Sequence, residues 1–163
     1  MNSSLAIAAT TATLAHALGD ACACCVTVGH VGDPTKPTIG LRLYRVAADP
    51  FQRQGRALVL QYRVSFHGDD AALEPDMLVG RCIDFLEANP ILDHDAILRG
   101  MAQFNLTQDE GTCEITKLRL VFESLSVEEQ RLMCESDGPI CISVRATASL
   151  EITQRDSGMA IEP

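Results

Sequence analysis

The chain has 163 residues, 47% of them hydrophobic, which suits one domain built around one core. Five Phe, two Tyr and no Trp leave few rings for a base- or sugar-stacking surface, and a net charge of −9 argues against a general attraction to nucleic acid or to an anionic membrane. The charge is uneven: residues 36–63 carry Lys36, Arg42, Arg45, Arg53, Arg56 and Arg63 against Asp49 alone, a local balance of +5 that leaves about −14 for the remainder. A subunit polarised in this way suits head-to-tail or layered assembly, and the plainer reading of the same block is a solvated strand face.

Along the chain, Ser3 or Ser4 can cap a first helix whose Ile7, Thr11, Leu14 and Leu18 form one stripe, with Thr10, Thr13, Ala17 and Asp20 on the other side and Gly19 as its end. Residues 5–18 are apolar, but no Lys or Arg precedes them and three threonines and His16 interrupt them, so a signal peptide is not expected. Val26, Thr27 and Val28 suit a brief strand, and Gly32, Pro34 and Pro37 mark a loop.

Residues 38–46 alternate, with Ile39, Leu41 and Leu43 on one face and Arg42 and Tyr44 on the other. Residues 57–67 alternate more clearly, setting Leu58, Leu60, Tyr62, Val64 and Phe66 against Val59, Gln61, Arg63, Ser65 and His67. The connection between them, about ten residues, is longer than a hairpin requires. A helix is expected over residues 75–89, stopped by Pro90, and a shorter one after Asp93, which can cap it. Residues 115–122 read as a strand, Ser126 and Glu129 as the capping box of a short helix through Leu132 and Met133, and residues 140–152 as a long strand. The fold class expected is α+β, with a mostly antiparallel sheet of about four strands carrying helices on one face, in a single domain over residues 4–152 with a loose tail at 153–163.

Chemical motifs are sparse. There is no phosphate-binding glycine loop and no nucleophile elbow. Asp93, His94 and Asp95 are explained by helix capping, and His67, Asp69 and Asp70 by turn chemistry. The seven cysteines are odd in number; Cys22, Cys24 and Cys25 cluster, but the second ligand pair of a zinc site is missing, His30 would be a fourth ligand by chance only, and Cys82, Cys113, Cys134 and Cys141 read as isolated core residues. A nucleophile and base from Cys24 or Cys25 with His30 would lack an orienting group. The expectation is therefore no enzyme, no cofactor, no metal and reduced thiols in the cytoplasm.

Several segments, in order, resemble one known family: Leu5-Ala6-Ile7-Ala8-Ala9-Thr10-Thr11-Ala12-Thr13-Leu14, then Leu41-Arg42-Leu43-Tyr44-Arg45-Val46 with a polar loop holding Arg53, Leu60-Gln61-Tyr62, Leu78-Val79-Gly80-Arg81, Asn89-Pro90-Ile91-Leu92, and finally Glu123-Ser124-Leu125-Ser126-Val127-Glu128-Glu129. This collinear series, over roughly residues 4–152, is similar to the cap, or tail-terminator, proteins of phage-tail-like contractile injection systems. The Cys22–Cys25 insertion and Met133-Cys134, where an aromatic is usual, depart from the pattern. The resemblance implies a homohexameric ring that closes the baseplate-distal end of tube and sheath, ends polymerisation and holds the last sheath layer, with sheath and inner-tube proteins as partners and no nucleic acid or membrane insertion. Two other readings are a small metal- or ligand-binding module using the Cys22–Cys25 cluster and a tail-completion or neck protein of a phage. The expected interface is the strand and arm carrying Arg42, Arg45, Asp49, Phe51, Gln52, Arg53 and Arg56, because the arm is long and lies in the one net-positive segment.

Overall fold

The computed structural model describes residues 3–29, 36–48, 56–107, 113–124, 126, 128–129, 131 and 140–152. They form helices α1 (Ser3–Cys22), α2 (Glu74–Ala88) and α3 (His94–Gln103) and strands β1 (Cys25–Val28), β2 (Thr38–Ala48), β3 (Arg56–His67), β4 (Ile91–Leu92), β5 (Cys113–Glu123) and β6 (Cys141–Ile152). The fold is α+β, as the alternation predicts, but the sheet has six strands rather than about four, in the order β1-β2-β3-β6-β5-β4. The additions are two short edge strands, and β1 runs parallel to β2 while every other pair is antiparallel. β1 takes in the brief strand expected at residues 26–28, while β4, two residues long, carries too little alternation to announce itself.

The sheet curls into a half-barrel and α1 lies in it, touching β1, β2, β5 and β6 as well as both other helices. This placement explains why α1 is buried on two sides. Leu14 and Leu18 are wholly buried, and so are Thr10 and Thr13, which the helical stripe assigns to the outer side. α3 covers that side. Each threonine hydroxyl donates to the carbonyl four residues back, Thr10 to Ala6 at 2.8 Å and Thr13 to Ala9 at 2.7 Å, so neither brings an unsatisfied polar atom into the core. α1 is long and apolar enough to cross a membrane by length and composition, and half of that stretch is buried inside the fold. Gly19 does not end it. The helix runs on to Cys22, and the left-handed turn that stops it falls on Ala23, at φ 51°, where the Cys24 N–H reaches the Gly19 carbonyl at 3.3 Å.

β2 and β5 each carry a bulge, at Leu43/Arg45 and Ile115/Lys117. The first sets Tyr44 as an extra residue between Leu43, opposite Tyr62, and Arg45, opposite Gln61. The helix-facing rows of the sheet then read Leu41, Val64 and Ile142; Leu43, Tyr62 and Val144; and Leu60, Ala146 and Leu120. These join Leu14, Leu18, Leu78, Cys82, Leu86, Ile97 and Met101 in one apolar cluster.

Local signals hold where they have a side-chain mechanism. Asp93 accepts from the Ala96 N–H at 2.9 Å and starts α3. Asp69 accepts from the Ala71 N–H at 2.9 Å, and Glu74 Oε2 accepts from the Asp69 N–H at 2.9 Å, so the acids after His67 build a turn. The Ser126–Glu129 box closes both ways: Ser126 N–H donates to Glu129 Oε2 at 3.0 Å, and Glu129 N–H donates to Ser126 Oγ at 3.3 Å. These bonds to Ser126, backbone first, hold the Glu129 carboxyl below its ordinary pKa. Leu132, Met133 and the tail lie outside the described residues.

Candidate interaction surface

Helices α1, α2 and α3 pack on the side of the sheet that carries Tyr62, and near the opposite face a turn of helix that includes residues 128, 129 and 131 brings the Glu129 carboxylate within reach of the Arg45 charge. The register brings Arg42, Arg45, Arg63, Lys117, Arg119 and Arg145 to this open face, with acidic positions at Glu114, Glu123 and Glu151. Arg42 stands directly opposite Arg63, and Arg63 opposite Ser143; Gln61 lies between Arg45 and Arg145. Glu123 is already engaged, accepting from Gln61 Nε2 at 2.8 Å and pairing with Arg145 at 3.2 Å. Arg63 donates through Nε to Cys141 Sγ at 3.2 Å. The Tyr44 and Ser143 hydroxyls meet at 3.0 Å across the face, which accounts for the complete burial of Ser143 on its polar side.

Of the residues expected at the interface, Arg42 and Arg45 are exposed on this face. Asp49, Phe51, Gln52 and Arg53 lie outside the described residues, and Arg56 is described as backbone only, opening β3 opposite Leu150. Tyr44, Arg63, Lys117, Arg119 and Arg145 join the same face. Alternation placed them on polar strand faces, but only the strand order, with β6 between β3 and β5, makes those faces one surface.

The sheet also has an open edge. β1 accompanies β2 only from Cys25↔Thr38 to Val28↔Leu41, and Gly29, at φ 78°, donates to the Leu41 carbonyl at 2.9 Å as the chain leaves. Beyond that point residues 42–48 of β2 have no strand on their outer side among the described residues. Tyr44 and Val46 are 40% and 44% exposed along it. Such an edge is a template for strand addition.

The cysteine cluster divides by depth. Cys22 and Cys82 are fully buried, Cys24 is half-buried and Cys25 is exposed, and all four are free thiols. Burial pushes the Cys24 thiol up to about 11 and the Cys82 thiol up to about 12, so both are protonated near neutral pH and poor nucleophiles. His16 lines the same open groove as Cys24 and Cys25 and pairs with Asp20 at 3.5 Å; His30 lies outside the described residues. Among the described residues no three His, Cys, Asp or Glu side chains are grouped to hold a metal ion. Alkylation of the folded protein is expected to modify Cys25 ahead of Cys22, Cys24 and Cys82, with Cys22 and Cys82 reacting only as the chain unfolds. Mass mapping of the labelled peptides checks this, and prompt labelling of Cys82 would contradict its burial.

His67 closes β3, opposite Thr38, with its Nε2 3.0 Å from Ser65 Oγ. Burial first, and the Arg63 charge second, hold its pKa below the ordinary value. The unfolded chain therefore binds the proton more readily, and stability falls as pH drops through the unfolded value of about 6.5 towards the folded one. A His67→Gln variant is expected to lose less stability than the wild type between about pH 7 and pH 5, read from denaturant midpoints. Equal losses would contradict the assignment.

No protein-family model matches the chain, and no curated protein matches it in sequence.

Proposed function

We propose that this chain is a structural cap, a tail-terminator-like ring subunit that closes the baseplate-distal end of the tube and sheath of a contractile injection system. In this reading it acts without catalysis, cofactor or resident metal. It assembles in the cytoplasm as a homohexamer, ends polymerisation and holds the last sheath layer. The collinear sequence resemblance suggests the family. The observation that carries the reading on physical grounds is the edge of β2 over residues 42–48, which pairs with no outer strand among the described residues and borders a cationic sheet face on an otherwise acidic chain. A terminator must bind the final layer and offer nothing onto which another layer can grow. An edge strand that adds to a neighbour, by backbone bonds and with Arg42 and Arg45 to select an acidic partner, does the first of these.

The test is assembly of matching sheath, tube and baseplate proteins with and without this chain, followed by electron microscopy of particle lengths. The expected result is a narrow length distribution with the chain at one end of each particle. Unchanged lengths, with no chain bound to the particles, would overturn the proposal.

A further inference from the structure

We infer that the open sheet face docks the helix layer of a second copy of this chain, head to tail. This rests on the reading that the chain assembles with its own copies, and it names the two surfaces that meet. The charges of the two sides are opposed. On the sheet face, six cationic positions on β2, β3, β5 and β6 outnumber three acidic ones; Glu123 is already held by Gln61 and Arg145, and the chain's own Glu129 lies near Arg45 alone. On the helix side, α2 exposes Asp76, Asp84 and Glu87, and the start of α3 exposes Asp93 and Asp95, against Arg81 and Arg99.

Among the described residues the sheet face carries an excess of cations. Arg42 directly opposite Arg63 is a like-charge cross-strand pair, which weakens a sheet when no anion lies between the two. Carboxylates of a neighbour laid over the face would relieve it and gain the two-handed bonds that guanidinium groups make. The chain's own net charge of −9 points to a second copy as partner: its helix side presents exposed carboxylates that cannot reach across its own sheet. Size agrees as well. Four strands of 11 or 12 residues cover about 19 Å by about 36 Å, or about 700 Å², close to the roughly 800 Å² per partner of a standard interface. Because the two surfaces differ, every docked copy leaves one of each unused, so the contact propagates until it closes on itself.

The test uses two exposed charge-reversal pairs in the full-length protein, Arg42→Glu with Arg119→Glu on the sheet face and Asp84→Lys with Glu87→Lys on α2. Each is measured alone and in equimolar mixture by light scattering after size exclusion, with circular dichroism to confirm the fold. The wild type is expected to assemble at low salt and to come apart at high salt. Each variant alone should associate on the order of 100-fold more weakly, because like charges then face one another. The mixture should assemble again with the two chains alternating, since intact sheet face then meets intact helix layer and reversed face meets reversed layer, each with opposite charges. Assembly that persists in both variants would overturn this docking mode and leave the cap reading standing. A mixture that stays monomeric when the wild type assembles would also overturn it. A wild type that stays monomeric at every salt concentration would overturn both.

Discussion

Replacing Gly100 by alanine is expected to destabilise the protein by about 2 kcal/mol or more, although alanine is the better helix former by about 1 kcal/mol. Gly100 lies in α3 where that helix crosses α1, and it is buried. A Cβ placed there would collide with the Thr13 Cα and stand 2.8 Å from the Thr13 nitrogen and 3.1 Å from the Ala12 carbonyl carbon. All three are backbone atoms, so no rotamer change can make room and the helices must separate. Separation would open the seam that buries Thr10, Thr13, Ile97 and Met101. Gly80 is the control. It is exposed on α2 with nothing within 4 Å of its would-be Cβ, so Gly80→Ala should raise stability by up to about 1 kcal/mol. Denaturant midpoints that move the same way for both variants would contradict the α1–α3 packing.

Tyr62→Ala is expected to cost about 3–5 kcal/mol, the range for removing a large buried ring. Tyr62 is fully buried at the centre of the sheet, between Leu43 on β2 and Val144 on β6. Its hydroxyl lies 2.8 Å from Thr11 Oγ1. Thr11 gives its own hydroxyl proton to the Ile7 carbonyl at 2.9 Å, so Tyr62 is the donor of the bond that ties sheet to helix. Burial of the phenol pushes its pKa up to about 12, which keeps that donor protonated. Tyr62→Phe keeps the ring and leaves Thr11 bonded to Ile7, so its cost should be only about 1 kcal/mol. Similar losses for the two variants would mean that the hydroxyl, not the ring, holds α1 in the half-barrel.

What the sequence makes legible follows from how local each cause is. The long strands β2, β3, β5 and β6 are visible because alternation is a property of consecutive residues, and Asp93, Asp69 and the Ser126–Glu129 box because a capping side chain reaches backbone three residues away or fewer. α1 is visible as a helix, but its second buried side is not, because the burial of Thr10 and Thr13 depends on α3, more than 80 residues later. Its end is misread because the left-handed residue is Ala23, while the glycine that usually marks such a turn stands at 19. The candidate surface is legible only in part. Arg42 and Arg45 stand out through the local positive charge, whereas Arg119 and Arg145 join them only once β6 is inserted between β3 and β5. Four short-range alternations cannot specify that order, since each strand satisfies its own core face whichever neighbour it takes.

The claim that this chain works by assembling with itself is tested most directly by the mass of the purified protein under native conditions at low ionic strength. A ring of six 17.6 kDa chains should give a species near about 106 kDa that disperses as salt is raised. A single 17.6 kDa species at every protein and salt concentration would contradict it.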